Sequence, residues 1–152
     1  VAAITDNVTK RGMGFIALHD TVECGNKDIE NLIDLTHQES FEIQPIWTHD
    51  LNMEHPITKD IKPFYFNIDL QYCPVIKSES AVPLFQTSAV HDKREALGGW
   101  CLEQGQGRVV VLLPGHTEWT YRAPEYQEIL WRSAHWAIKK NNAPYSGLKT
   151  VI

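Results

Sequence analysis

Residues 108–121 read RVVVLLPGHTEWTY. Val109 to Leu113 form an unbroken apolar run that passes through Pro114 and Gly115 into His116, Thr117 and Glu118. A short apolar run bounded in this way suits a buried strand of a parallel sheet better than a strand with one wet face. Residues 14–21, GFIALHDT, repeat the design with an apolar run behind a glycine that stops on His19, Asp20 and Thr21. In open α/β sheets ligands sit at the carboxyl ends of strands. Two strands ending on histidine therefore set both imidazoles at one rim.

The flanks supply the rest of an α/β pattern. Pro124 fits a first helical position, and Tyr126, Ile129, Leu130, Ser133, Ala134 and Ala137 follow at helical spacing, predicting a helix that packs its Leu and Trp face on the sheet. Ahead of the strand, EQGQG at 103–107 reads as a hairpin turn joining strands 98–102 and 108–113. Residues 64–70 and 82–89 read as strands, and 41–47 as a strand that Pro45 confines to an edge or ends early. Residues 2–10 form a helix stopped by Gly12, and 28–35 a short helix capped by Asn26 or Asp28. Between them and the later strands, residues 48–63 make a long polar loop, and 142–152 make a tail.

At 152 residues and 43% hydrophobic, the chain is sized for one α/β domain with a real core. Net charge is -5 and the Lys and Arg residues are scattered, so there is no basic stripe for phosphates and no nucleic acid is expected as a partner. No apolar run approaches a membrane span, and no membrane partner is expected. Cys24, Cys73 and Cys101 are an odd number without a CxxC spacing and read as free thiols. The sequence opens on helix without an initiator Met, so a signal peptide cannot be judged, and a cytoplasmic location is favoured. Asn7-Val8-Thr9 fits a glycosylation sequon but lies on the predicted helix.

His116-x-Glu118 carries its own chemistry. Residues two apart in extended chain point the same way, so the carboxylate can hold an imidazole N–H, fix its tautomer and raise its basicity.

GMGFIALHD, EHPITKDI, the IDLQY around Asp69 and Tyr72, and GRVVVLLPGHTEWTYRAPEYQEILWRSAHWA together resemble the trehalose-utilisation (ThuA-like) family of the class I glutamine amidotransferase-like superfamily. The match runs in order across nearly the whole chain, and its last block is the most specific. The resemblance implies a flavodoxin-like three-layer α/β/α fold with a mostly parallel central sheet. Family members begin with further βα units, so residues 1–152 are expected to be the C-terminal two thirds of a single domain, short by about 70 to 100 residues for typical domain sizes. A sheet lacking those strands is expected to be completed by another part of the chain, by a second copy or by another chain. In the amidotransferase relatives the strand equivalent to GFIAL leads to a cysteine nucleophile on a strained turn, and a later His-x-Glu completes the triad. Here His19 stands in the cysteine's place, and an imidazole does not substitute for a thiolate in thioester chemistry. Glutaminase activity is therefore not expected.

The resemblance points to sugar catabolism and to oxidised 3-keto glycosides such as 3-keto-trehalose as small-molecule substrates. A C3 ketone acidifies the C2 proton, and a base that removes it permits expulsion of the C1 substituent, a lyase- or hydrolase-type cleavage. His116 held by Glu118 can be the base and His19 the donor or electrophile. No cofactor is required, although His19, His116 and Glu118 could instead hold a divalent metal. His55, Asp69, Tyr72, Trp119 and Tyr121 are candidate substrate contacts, while His37, His49, His91 and His135 read as structural. The rival reading is a noncatalytic carbohydrate-binding or interaction module. Separation of the His19 and His116 rings by more than about 10 Å would exclude a shared site.

Overall fold

The computed structural model describes residues 1–139. The expected tail at 142–152 lies outside the described residues. In chain order the elements are α1 (Ala2–Arg11), β1 (Gly14–Leu18), a 3-10 turn (His19–Glu23), α2 (Lys27–Leu32), β2 (Leu35–Ser40), β3 (Gln44–His49), β4 (Phe64–Asp69), β5 (Tyr72–Ile76), β6 (Val82–Ala89), β7 (Glu95–Gln104), β8 (Gly107–Leu112), a second 3-10 turn (Thr120–Arg122) and α3 (Pro124–Ala137). α1 stops where Gly12 turns left-handed at φ 76°. α2 is capped by Asn26, whose side chain accepts from the backbone N–H groups of Asp28 and Ile29. It ends before the expected residue 35, because Asp34 turns left-handed at φ 64° and its carboxylate accepts from the Ser78 N–H and hydroxyl.

Six strands form one sheet in the order β1-β8-β7-β6-β3-β4, and β2 pairs with β5 in a separate two-stranded ladder. The sheet corrects the expectation of a mostly parallel one. Only β1–β8 is parallel, and the β8–β7, β7–β6, β6–β3 and β3–β4 pairs are antiparallel. The reason lies in connection length: tight turns such as Gly105-Gln106 can join only antiparallel neighbours, whereas a parallel pair needs a crossover of a dozen residues or more. Pro45 is tolerated inside β3 because it falls at an irregularity in the β3–β4 register. β2 and β5 were not expected from the sequence. LTHQES has one buried residue at its start and shows no alternation.

Both faces of the sheet are covered. On one, Tyr126, Ile129 and Ala137 of α3 pack with Phe66, Phe85, Val110 and Leu112. On the other, Val8 of α1 and Ile29 and Leu32 of α2 pack with Trp100, Val109 and Val111. β1 serves both, sending Ile16 and Leu18 to the first cluster and Phe15 and Ala17 to the second. Trp100 is fully buried, and its indole N–H is satisfied by the Ile33 carbonyl at 2.8 Å. No helix among the described residues is long and apolar enough to cross a membrane.

The β7–β8 turn locks this arrangement to α1. Gly105 adopts φ 60°, and a Cβ there would lie 2.3 Å from the Thr9 carbonyl oxygen. Gly105→Ala is expected to cost about 2 kcal/mol, combining left-handed strain with the clash. Urea unfolding checks this, and an unchanged midpoint would show that the turn can move off α1.

Candidate functional site

β1 and β8 pair in parallel with Leu18 opposite Leu112, so the residues just past them emerge side by side. His19 is the first. It is buried at 6% exposure and takes φ 40°, a left-handed conformation that costs a non-glycine residue about 1 kcal/mol or more. The surroundings hold it there: Nδ1 lies 2.8 Å from the Leu113 carbonyl oxygen, and the ring meets Tyr72 edge-on at 5.0 Å. The strained turn expected of a nucleophile elbow is thus present and carries an imidazole.

His116 completes a pair. Its Nδ1 is 3.1 Å from His19 Nε2, with ring centroids 5.2 Å apart, well inside the separation that would exclude a shared site. A carbonyl only accepts, so the Leu113 oxygen fixes the hydrogen of a neutral His19 on Nδ1. Nε2 of His19 then accepts from His116 Nδ1–H, which leaves the lone pair on Nε2 of the exposed His116. Asp20 Oδ1 lies 3.3 Å from His19 Nε2 and accepts the Tyr72 hydroxyl at 2.8 Å. A hydrogen on His19 Nε2 would have Asp20 Oδ1 within reach as an acceptor. Asp20 escaped assignment from sequence although it adjoins His19. Its only signal there was adjacency, and an aspartate beside a turn is common.

The loop bearing His116 is held from below by Asp69. This carboxylate, with no solvent exposure, accepts from the N–H of Gly115 at 2.9 Å, the N–H of His116 at 2.8 Å, the hydroxyl of Thr120 at 2.7 Å and the N–H of Leu70 at 2.8 Å. Tyr126 Oη donates to the Pro114 carbonyl at 2.5 Å, and Thr117 Oγ1 to the Ile68 carbonyl at 3.0 Å. Asp69, expected to meet substrate, is instead buried beneath the loop. Tyr72 is likewise buried and orders Asp20. Tyr121 does approach the pair: a Cβ on Gly115 would lie 2.5 Å from Tyr121 Oη and 3.2 Å from His19 Cβ. Burial, with the nearby Asp69 and Asp20 carboxylates, pushes the Tyr121 hydroxyl above its ordinary range, so it remains a donor at neutral pH.

Glu118 departs from the sequence expectation. Its carboxylate pairs with Arg122 Nη2 at 3.4 Å, both side chains being exposed, and it does not orient the His116 ring. The chain bends at His116 and Thr117 and turns at Glu118 and Trp119, which breaks the extended geometry on which same-side projection depended. The proposed metal triad of His19, His116 and Glu118 loses its carboxylate for the same reason. Among the described residues no group of three His, Cys, Asp or Glu side chains is arranged to hold a metal ion. His55 also lies elsewhere, with Nε2 3.4 Å from Cys101 Sγ and its ring 5.5 Å from Trp136, toward the opposite end of β8. Trp119 is 55% exposed with Arg122 over its ring. Cys101 is buried and its thiol is pushed up to about 12 by burial, while Cys24 is exposed at the end of the first 3-10 turn. Neither occupies the elbow.

Comparison with known proteins agrees with the fold. A model of the ThuA family, described as trehalose utilisation, matches residues 2–137. A ThuA-like protein from Parabacteroides merdae superposes with TM-score 0.77 at 14% identity, over 91% of this chain and 65% of that one. A ThuA-like protein from Bacteroides uniformis gives 0.69 at 15% identity, over 90% and 62%. A cytoplasmic protein from Salmonella typhimurium gives 0.67 at 13%, over 90% and 59%. The chain thus spans under two thirds of the length of each. At these identities the likeness speaks to fold alone. No curated protein matches the sequence.

Two outcomes follow from this geometry. Asp69→Ala strands several buried donors and is expected to cost about 3 kcal/mol or more by denaturant unfolding, with Asp69→Asn milder because it keeps one acceptor oxygen. A loss under about 0.5 kcal/mol would show that water replaces the carboxylate. For His55, burial lowers the pKa from 6.5, so the unfolded chain takes up the proton first. Its contribution to stability is full above about 6.5 and is lost as pH falls through the lower folded value. The acid limb of the melting temperature is therefore expected to be shallower in His55→Asn, whose side-chain carbonyl can still accept from the Ile57 N–H. An unchanged acid limb would place the sensitivity on another group.

Proposed function

The chain belongs to the ThuA, trehalose-utilisation, family, and from that premise we propose that it cleaves oxidised glycosides, 3-keto-trehalose being the type, by acid–base chemistry at His19 and His116. The observation that carries this reading is the 3.1 Å contact between His19 Nε2 and His116 Nδ1, anchored by the Leu113 carbonyl. That chain of hydrogen bonds readies His116 Nε2 as a base without help from Glu118.

His116 Nε2 takes the C2 proton as the C2–H bond breaks, and the electron pair passes into an enolate on the C3 oxygen. Tyr121, kept protonated and close to Gly115 beside the pair, can donate its hydroxyl to that oxygen. Collapse of the enolate breaks the bond from C1 to the glycosidic oxygen, the leaving oxygen takes back the proton that His116 Nε2 removed from C2, and an enone and a free sugar result. Water added to the enone makes the overall change a hydrolysis.

A general base of this kind contributes about 10²- to 10⁴-fold. His116→Ala is expected to lose turnover of 3-keto-trehalose on that scale at equal folded concentration, followed by release of the free sugar. A rate equal to that of the wild type would falsify the assignment.

A further inference from the structure

We propose that the outer edge of β4 and the turn after His116 form a second sugar subsite, seated on Trp119, that holds the departing half of a disaccharide. This inference rests on the preceding reading of the histidine pair.

A groove of about 340 Å³ runs along the unpaired edge of β4, lined by Tyr65, Asn67, Trp119, Arg122, Pro124 and Glu125. Its volume falls in the range of small-molecule sites. Trp119 is exposed and stacks against Arg122. The Arg122 guanidinium lies 4.5 Å from its ring centroid, and Glu118 holds Arg122 in turn at 3.4 Å. The guanidinium covers one face of the indole, and 55% of the residue stays exposed. A pre-oriented aromatic face suits the apolar C–H face of a pyranose and spares the ordering cost of binding. On the facing strand, Tyr65 is itself braced by Trp47, with ring centroids 4.2 Å apart. Asn67 and Glu125 add hydrogen-bonding groups, and because Arg122 is already paired with Glu118, Glu125 leaves the lining no spare cation for a phosphate or an acidic chain, which suits a neutral polyol better.

The groove lies beside the loop that carries His116. Asn67 lies two residues, about 7 Å, along β4 from Asp69, and Asp69 accepts the backbone N–H of His116. Trp119 follows His116 by three residues. Three residues span at most about 11 Å of chain, the scale of a disaccharide, so a ring held at His116 leaves the second ring within reach of the indole. This gives Glu118 a place in the site other than as partner of an imidazole: through Arg122 it positions the platform.

The test is calorimetric titration of the 152-residue chain with trehalose and with methyl α-glucoside, neither of which carries the ketone needed for turnover. Trp119→Ala is expected to weaken trehalose about tenfold, the scale of one lost stacking contact, while methyl α-glucoside changes less than about twofold. Trp119→Phe is expected to restore most of the difference. Equal losses for both sugars, no loss for trehalose, or no binding of trehalose by the wild-type chain overturns the subsite. Light scattering on the same samples covers a protein occupant: a dimer lost in Trp119→Ala would put a second copy on the β4 edge and also overturn it. Failure of the parent reading appears separately, as undiminished 3-keto-trehalose turnover in His116→Ala with the Trp119 effect on trehalose intact.

Discussion

The parallel pairing of β1 with β8, in the register that sets Leu18 against Leu112, is the constraint on which the site depends. It places the ends of two strands, far apart in sequence, side by side. A slip of one residue would turn His19 away from the Leu113 carbonyl and exchange the side chains that β1 gives to the two core clusters. The register is fixed by burial on both faces, because Ile16 and Leu18 belong to one cluster and Phe15 and Ala17 to the other. Core packing and site geometry therefore share a cause.

A buried carboxylate then does for the second turn what sheet pairing does for the first. Asp69 is fully desolvated, which is costly for an isolated charge, and here four donors compensate that cost. The donors converge because the Pro114–Thr120 segment folds over the end of β4. The His116 backbone is thus a fixed part of the fold, and only its imidazole is exposed. Orientation of that imidazole comes from another imidazole and a main-chain carbonyl, not from the carboxylate two residues along the chain.

The elbow at His19 keeps the strain and changes the nucleophile. Left-handed φ at a buried, hydrogen-bonded histidine persists only where its neighbours over-determine it, and Leu113, Tyr72 and His116 supply those contacts. A thiolate at this turn would suit acyl transfer, whereas an imidazole pair suits proton transfer. The described cysteines do not occupy the turn: Cys101 is buried in β7 with a raised pKa, Cys73 lies on β5 with its pKa raised by burial, and Cys24 stands beyond the turn.

The sequence by itself determined the local structure: the α1 stop at Gly12, the Asn26 cap, the hairpin before β8, the long helix opened by Pro124, and two apolar strands each ending on a histidine. These follow from near-neighbour sterics and hydrophobic period, which a single segment carries within itself. Tertiary structure decided what depends on distant partners. Pairing direction for most of the sheet, the β2–β5 ladder, the burial of Asp69 beneath the loop and the pairing of Glu118 with Arg122 were not legible. A hydrogen-bonding side chain accepts whichever partner the fold brings near, and spacing along the chain fixes its direction only while the chain stays extended. The chain already bends at His116 and Thr117, and Glu118 faces Arg122 rather than His116.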